Sequence, residues 1–241
     1  KTSDIDFASF TNGLTYYYGH TGFSIIRYEV ISKKKNENEK AGEREDEEKM
    51  NRDIREKVYT IHLVNANPNA EVIKEEETKD YFTYTDVKSP GKKGTLLAHA
   101  YTKITYKNIY PNIDLAYRFT EDKGLQYSFV LHPGADLNQI RMETGTGYKN
   151  VVHAVGKLLS ESPFGLITHT APIAYIEKNQ KKLNCAFESD NRKISFVASS
   201  LSINETWIID PWVITPSFPN SNVGYDVDYD NAGNVYVSTG T

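Results

Sequence analysis

The chain has 241 residues, 39% of them hydrophobic, and a formal net charge of -4 at pH 7. This length is enough for one large domain or two small ones and for a substantial buried core. The negative charge argues against nucleic acid as the main partner, and no stretch approaches the roughly 18 apolar residues of a membrane-spanning helix. The 17 Tyr against 2 Met favour β-structure, because aromatic side chains suit a pleated, half-buried surface.

Alternation of apolar and polar residues predicts strands along most of the chain. Residues 113–119 and 125–131 are separated by a polar loop that ends in Gly124, so they are predicted to form a β-hairpin. One helical turn is expected at residues 135–139, capped by Asp136. Many short strands at about 8–12-residue spacing predict an all-β fold, with one or two β-sandwich-like units of antiparallel strands. The predicted strands are 16–18, 23–31, 58–64, 100–106, 113–119, 125–131, 140–143, 165–169, 173–177, 182–187, 194–198 and 206–209.

A highly charged segment, residues 33–57, interrupts this pattern, with 18 charged residues among its 25. It contains almost no apolar residue and therefore cannot bury a core of its own. Mixed-sign charge runs are usually solvated. We interpret the segment as a long loop insertion between two strands rather than as an electrostatic docking tail.

The end of the chain differs in character from the rest. A linker rich in Pro, Asn and Ser precedes a strand (225–229), a turn (230–234) and a second strand (235–238). Two strands alone are marginally stable in water, so we interpret this hairpin as the start of a β-propeller-type repeat within which the chain stops. The predicted domains are a β-sandwich-like module over residues 1–215 and, over residues 216–241, a linker and the start of a propeller.

Several motifs resemble a known family of bacterial proteins. Residues 224–240 resemble the opening of an SBBP (seven-bladed β-propeller) repeat from large secreted bacterial proteins. Four upstream motifs resemble the uncharacterised β-rich domain that commonly precedes such repeats, although the charged insertion departs from its usual pattern. These motifs are Tyr106–Leu115, Leu125–Asp136, Ala171–Tyr175 and Ile209–Pro211.

The resemblance implies an exported, multidomain protein of the bacterial cell surface, often associated with gliding motility or type IX secretion. Its signal peptide would be absent from this chain. The implied partners are other domains of the same larger chain, export or motility proteins, or surface glycans. The family has no established catalytic residues to carry over. From the residues themselves, the motifs are explained by turns at Pro111 and Pro133, and Asp210 is expected to cap a turn or to accept backbone donors.

Asp226, Asp228 and Asp230 form a weak candidate calcium site, because closely spaced carboxylates are the usual ligands of Ca²⁺. An EF-hand loop also needs a bidentate Glu near its twelfth position, where this chain has Val237. Turn chemistry of a hairpin accounts for the same residues. No other cofactor is predicted.

Tyr17 and Trp212 are weak candidates for contact with a glycan or a partner, since both side chains combine a flat apolar face with a polar tip. In a strand, Tyr16 and Tyr18 share one face while Tyr17 points to the other. Packing in the core or at an interface is the favoured interpretation. Cys185 is the single cysteine, and we expect a buried structural thiol.

No catalytic residue is predicted. The six His lack the short spacings of metal-ligand pairs, and no Gly-x-Ser-x-Gly elbow is present. The leading hypothesis is a non-enzymatic module with a structural, adhesive or partner-docking role. One alternative is a carbohydrate-binding module. The other is a hydrolase whose site is assembled in space, which would require a cleft with converging carboxylates or histidines.

Overall fold

A computed structural model of the chain describes residues 5–11, 13–31, 53–85, 95–120, 124–198, 204–216, 223–229 and 235–240. Within these residues lie twenty β-strands and one 3-10 turn (Leu137–Gln139), which Asp136 caps as predicted. The strands are β1 (Phe7–Thr11), β2 (Leu14–Gly19), β3 (Gly22–Ile31), β4 (Asp53–Leu63), β5 (Glu71–Thr85), β6 (Thr95–Tyr110), β7 (Ile113–Thr120), β8 (Gly124–Leu131), β9 (Met142–Thr144), β10 (Asn150–Val152), β11 (Leu158–Ser162), β12 (Gly165–His169), β13 (Ala174–Ile176), β14 (Lys182–Leu183), β15 (Cys185–Asp190), β16 (Lys193–Ala198), β17 (Trp207–Ile209), β18 (Trp212–Ile214), β19 (Val223–Tyr229) and β20 (Val235–Gly240).

Two antiparallel sheets form a sandwich, which confirms the predicted all-β class. The smaller sheet has the order β1-β2-β3-β4-β9-β16-β15. In the larger sheet the order is β10-β11-β12-β18-β8-β17-β13-β14, and β7, β6 and β5 continue from the other edge of β8. Phe23 of the smaller sheet lies against Tyr127 of the larger one, with ring centroids 5.8 Å apart, so the inner faces meet. The described residues contain no helix that is long and apolar enough to cross a membrane.

Strand β8 occupies the centre of the larger sheet. One of its edges pairs along its whole length with β7, as the predicted hairpin requires. Its other edge pairs with β18 near Gln126 and with β17 near Phe129. The link between β17 and β18, Asp210–Pro211, therefore lies beside the middle of β8.

The hydrophobic core has the alternation that the sequence predicts. Seven inward-facing residues of β7 and β8 are at most 3% exposed, and Phe119 is partly buried against them: Ile113, Leu115, Tyr117, Leu125, Tyr127, Phe129 and Leu131. Alternation sends the intervening side chains to the outer face of the larger sheet. That outer face carries the site described below.

The charged segment is shorter than predicted, because β4 begins at Asp53 rather than at Val58. Charged residues of β4 pair across the ladder with those of β3, and Lys57 Nζ lies 2.8 Å from Glu29 Oε1. Cross-strand pairs of opposite charge suit an exposed antiparallel ribbon, so residues 53–57 are strand and not loop. The rest of the predicted insertion, residues 33–52, lies outside the described residues.

Strand β5, which has 15 residues, was not predicted. Its acidic run around Glu75 lacks apolar alternation, and the strand is held instead by its pairing with β6. The short strands β1, β10, β11 and β18 were missed as well, because few residues carry their pattern.

Strands β19 and β20 form the predicted terminal hairpin, with a register shift between Gly224 and Asp226. The turn at residues 230–234 lies outside the described residues. The assignment of this hairpin to a propeller repeat stays a prediction.

Candidate functional site

A groove with a volume of about 380 Å³ lies on the outer face of the larger sheet, across β5, β6, β7, β8, β17 and β13. The strand register aligns its side chains in three cross-strand rows. The middle row is Ile73, Thr105, Ala116 and Ser128. The first flanking row, called the Arg118 row, is Glu75, Lys103, Arg118 and Gln126. The second, called the Asp114 row, is Lys107, Asp114, Val130, Ile208 and Tyr175.

The groove exists because short side chains are flanked by long ones. Thr105 and Ala116 point away from the core, yet they are only 7% and 6% exposed. The longer side chains of the two flanking rows shield them from solvent. The result is a trench that runs perpendicular to the strands.

Asp114 is the most deeply buried polar residue of the groove, at 2% exposure. Its carboxylate accepts hydrogen bonds from Lys107 Nζ, from the Asn108 backbone N–H at 2.8 Å and from His132 Nε2 at 2.7 Å. A β-bulge presents the Asn108 N–H, whose residue has a φ of 52°. Burial alone raises the pKa of Asp114, but the bonds from Lys107, His132 and Asn108 outweigh it and hold the pKa below its usual value.

The Arg118 row is also paired internally. Glu75 accepts from Thr105 Oγ1 and from Lys103 Nζ at 2.9 Å, and together these bonds outweigh partial burial and lower its pKa. Arg118 donates two hydrogen bonds of 2.6 Å to Glu76, a bidentate arrangement that lowers the pKa of Glu76 to about 2. Glu76 has a φ of 57° at an irregularity of β5, so the backbone departs from regular strand where it meets Arg118.

Asp210 lies at the opposite side of the groove, in the link between β17 and β18. Its carboxylate accepts a hydrogen bond from Ser128 Oγ, and its backbone N–H donates to the Ile173 carbonyl at 2.9 Å. The donor to its carboxylate is thus a hydroxyl on a neighbouring strand, and the role of Asp210 as a turn cap or an acceptor of backbone donors stays a prediction. Burial raises the pKa of Asp210, although Ser128 and Arg118 act in the other direction.

Gln126 is 9% exposed and lines the groove. Within the described part of the chain its side-chain amide has no hydrogen-bond partner. The amide atoms themselves are not sealed from solvent, so they are accessible from the groove.

Each of the four upstream motifs contributes polar side chains to this one groove. Sequence reasoning found the motifs but interpreted them as turns. The sequence does not show the register of the five strands, and that register is what brings these side chains together. The contributed residues are Lys107 and Asp114, then Gln126, Ser128 and His132, then Tyr175, and finally Asp210.

The structure does not bring Tyr17 and Trp212 together. Tyr17 is half-buried on β2 of the smaller sheet, 3.4 Å from the Tyr28 hydroxyl, and lines a separate recess of about 220 Å³. Trp212 is half-buried on β18 of the larger sheet, where the buried Val213 places it on the outer face. Neither residue lines the groove. Their role in glycan or partner contact stays a prediction.

The weak calcium candidates Asp226 and Asp228 lie in β19, whose side chains are not described, and Asp230 lies outside the described residues. Among the residues that the structure does describe, no group of three or more His, Cys, Asp or Glu side chains could hold a metal ion. Cys185 is a half-buried free thiol, and burial raises its pKa to about 11. The thiol is therefore protonated at neutral pH, as a structural cysteine should be.

A second polar cluster lies in the core, around His169. Its Nε2 is 3.1 Å from the Tyr59 hydroxyl and its Nδ1 is 3.0 Å from the Tyr127 hydroxyl. Burial lowers the pKa of His169 to about 3, so the ring is neutral, with one nitrogen donating and the other accepting. His169 is fully buried and has no access to a ligand.

Residues 1–212 match the model of a family described as a domain of unknown function (DUF7948). No curated protein and no solved structure matches the chain significantly.

Proposed function

Since the chain belongs to the DUF7948 family, whose function is unknown, we propose a role for it that is based on the groove. The chain acts as a non-enzymatic module of a larger exported protein of the bacterial cell surface, and it binds a partner in the groove. The observation that carries this proposal is the convergence of the four upstream motifs on one concave surface. Turns that serve the fold alone would have no reason to place their polar side chains together.

The pairing of the groove side chains supports binding over catalysis. A general acid or base must reach a proton of the substrate, whereas the Asp114 carboxylate is occupied by three protein donors. Glu75 and Glu76 are held in the same way by Lys103 and Arg118. Such groups shape a surface and orient one another.

Export, surface location and a propeller that follows the sandwich belong to the same proposal and rest on the family resemblance. In this setting the module supports adhesion or docks an export or motility partner. A rigid sandwich suits that role, because its outer face keeps its shape when a partner binds.

The experiment uses the labelled 241-residue chain and intact cells of the bacterium that encodes it. Wild-type chain should bind saturably, and Ala116→Arg, which fills the middle row, should abolish binding. Leu166→Arg is the matched control, because Leu166 is exposed on the same sheet outside the groove. Thermal unfolding and circular dichroism check that both variants fold, and Tyr175→Ala gives a second, milder change in the groove. Equal binding by all variants would contradict the proposal.

A hydrolase is the second candidate, because the groove brings together carboxyl groups whose pKa values are shifted in opposite directions. The pKa of Asp210 is raised and that of Asp114 lowered, which is how environments separate acid and base roles. The Cα atoms of Asp114 and Asp210 are separated by two strand spacings across the sheet and by two residues along the strands. This corresponds to a distance of about 12 Å. Inverting glycosidases hold their carboxyl groups about 6.5–9.5 Å apart, and side chains can close that difference.

An assay for reducing ends released from a panel of polysaccharides tests the hydrolase. Activity that disappears in Asp210→Asn and persists in Asp190→Asn, an exposed position on the smaller sheet, would favour it. A blank panel would leave the binding role as the function of the groove.

A further inference from the structure

Gln126 is the one buried side chain of the groove that carries an unused amide. It is nine-tenths buried, and its strand position sets it beside Arg118 in the Arg118 row. Within the described residues neither its oxygen nor its nitrogen has a partner, although an amide offers two donors and one acceptor. The amide atoms are open to the groove rather than sealed from solvent, so a ligand can reach them. A ligand with hydroxyl groups would provide the missing donors and acceptors.

Within the described residues the groove has no free basic group to attract an anion, whereas the carboxyl groups of Asp210 and Glu177, which also line it, have no basic partner. Each basic side chain of the two flanking rows has an acidic partner within hydrogen-bond distance, and recognition of phosphate or sulfate would require free basic groups. The groove therefore disfavours an anionic ligand and suits a polar ligand without negative charge. The pairs are Lys103–Glu75, Lys107–Asp114 and Arg118–Glu76.

The far side of the groove combines an aromatic ring with apolar and hydroxyl-binding groups. Tyr175 is half-buried and lies next to Ile208, which in turn lies next to Val130. Asp210 and Ser128 border the same side, joined by one hydrogen bond. A sugar presents an apolar ring face and a rim of hydroxyls, and a tyrosine ring beside a carboxyl group matches both.

We propose that the groove is a binding site for a neutral oligosaccharide, in which Gln126 and Asp210 hydrogen-bond sugar hydroxyls and Tyr175 packs against a sugar ring. This inference rests on the proposed function of the groove and names its ligand class. It assigns the carbohydrate role to residues other than Tyr17 and Trp212. The trench crosses five strand spacings, about 24 Å, which favours an oligosaccharide over a single sugar.

The test is an array of neutral gluco-, xylo-, manno- and galacto-oligosaccharides printed beside sulfated and uronic-acid glycans, probed with the full 241-residue chain. Calorimetry then measures affinity for the best neutral glycan. Gln126→Leu should weaken binding at least about tenfold, because the hydrogen bonds from the side-chain amide to the sugar hydroxyls are lost. Gln139→Leu is the matched control: it removes another poorly bonded amide, in the turn Leu137–Gln139 outside the groove. Affinity should be insensitive to salt between about 50 and 500 mM, since no ion pair forms with the ligand.

Three results would overturn the saccharide inference: no neutral glycan bound, charged glycans alone bound, or Gln126→Leu binding as tightly as wild type. Tyr175→Ala gives an independent check, with weaker binding expected. The cell-binding experiment separates the two proposals. Cell binding that Ala116→Arg abolishes but that neutral oligosaccharides do not inhibit would overturn the ligand class alone. Cell binding unaffected by Ala116→Arg would overturn the role of the groove itself.

Discussion

The two faces of strand β8 carry side chains with different environments. Inward, Tyr127 and Phe129 are almost fully buried between the sheets. Outward, Gln126 and Ser128 line the groove. Inward, the Tyr127 hydroxyl is hydrogen-bonded to His169, whereas outward the Gln126 amide has no partner within the described residues. The difference separates residues that stabilise the sandwich from residues available to a ligand.

The cluster around His169 in the core is an example of a buried polar side chain with all its hydrogen-bonding atoms paired. Both ring nitrogens of His169 are bonded, one to Tyr59 and one to Tyr127. In the groove, Gln126 is 9% exposed, its amide is open to solvent, and it has no partner within the described residues. A satisfied network raises stability, whereas an unsatisfied amide contributes nothing to it. Substitutions on the two faces should therefore have opposite consequences for stability and binding.

The largest effect is expected from His169→Leu. The change removes a hydrogen-bond partner from two buried hydroxyls and should lower the free energy of unfolding by about 3 kcal/mol. Urea denaturation measures it. His169→Leu leaves the buried Tyr127 hydroxyl without this partner. Adding Tyr127→Phe removes that hydroxyl and should recover part of the lost stability. An unchanged midpoint in His169→Leu would refute a stabilising role for the network.

Acid should weaken the core through the same residue. The pKa of His169 is about 3 in the folded chain and about 6.5 when unfolded, so protons bind preferentially to the unfolded state as pH falls through this window. Its contribution is intact above pH 6.5, and about 2 kcal/mol should be lost between pH 7 and pH 5. Urea denaturation at the two pH values measures the loss. His169→Leu should show a correspondingly smaller pH dependence, and an identical dependence in both proteins would contradict the assignment.

An intermediate effect is expected from Asp114→Asn on the outer face. The substitution leaves Lys107 and His132 without their carboxylate partner, while the Asn108 N–H can still donate to the new amide oxygen. Because Lys107 reaches solvent, the loss should be about 1–2 kcal/mol. The exposed Asp190→Asn should stay within about 0.5 kcal/mol of wild type. Equal stability of the two variants would show that the Asp114 cluster does not stabilise the sheet.

The smallest effect on stability is expected from Gln126→Leu. The Gln126 amide has no protein partner within the described residues and is open to solvent, so replacing it by an apolar side chain should change the free energy of unfolding by less than about 0.5 kcal/mol, or increase it. Denaturation beside the binding measurement tests this directly. A large loss of stability would mean that Gln126 holds the fold together, and the contrast between the two faces would disappear.

Sequence reasoning could predict the faces of strands but not the arrangement of the site. Alternation assigned Tyr127 to the core and Asp114 to the opposite face, as the structure confirms. It could not show that Asp114 is buried on that outer face, because the shielding comes from neighbouring strands. Two backbone irregularities, at Glu76 and Asn108, both with positive φ, also set the alignment of β5, β6 and β7. A pattern of period two contains no information about such bulges.

The position of the middle row affects how amino-acid substitutions can change the groove. Its short side chains, Thr105, Ala116 and Ser128, belong to three different strands, and each alternates with a residue of the core. An exchange at one of these positions alters the depth of the trench at one point and leaves the packing between the sheets untouched. Under the proposed binding role, single substitutions in this row would change ligand preference without altering the core.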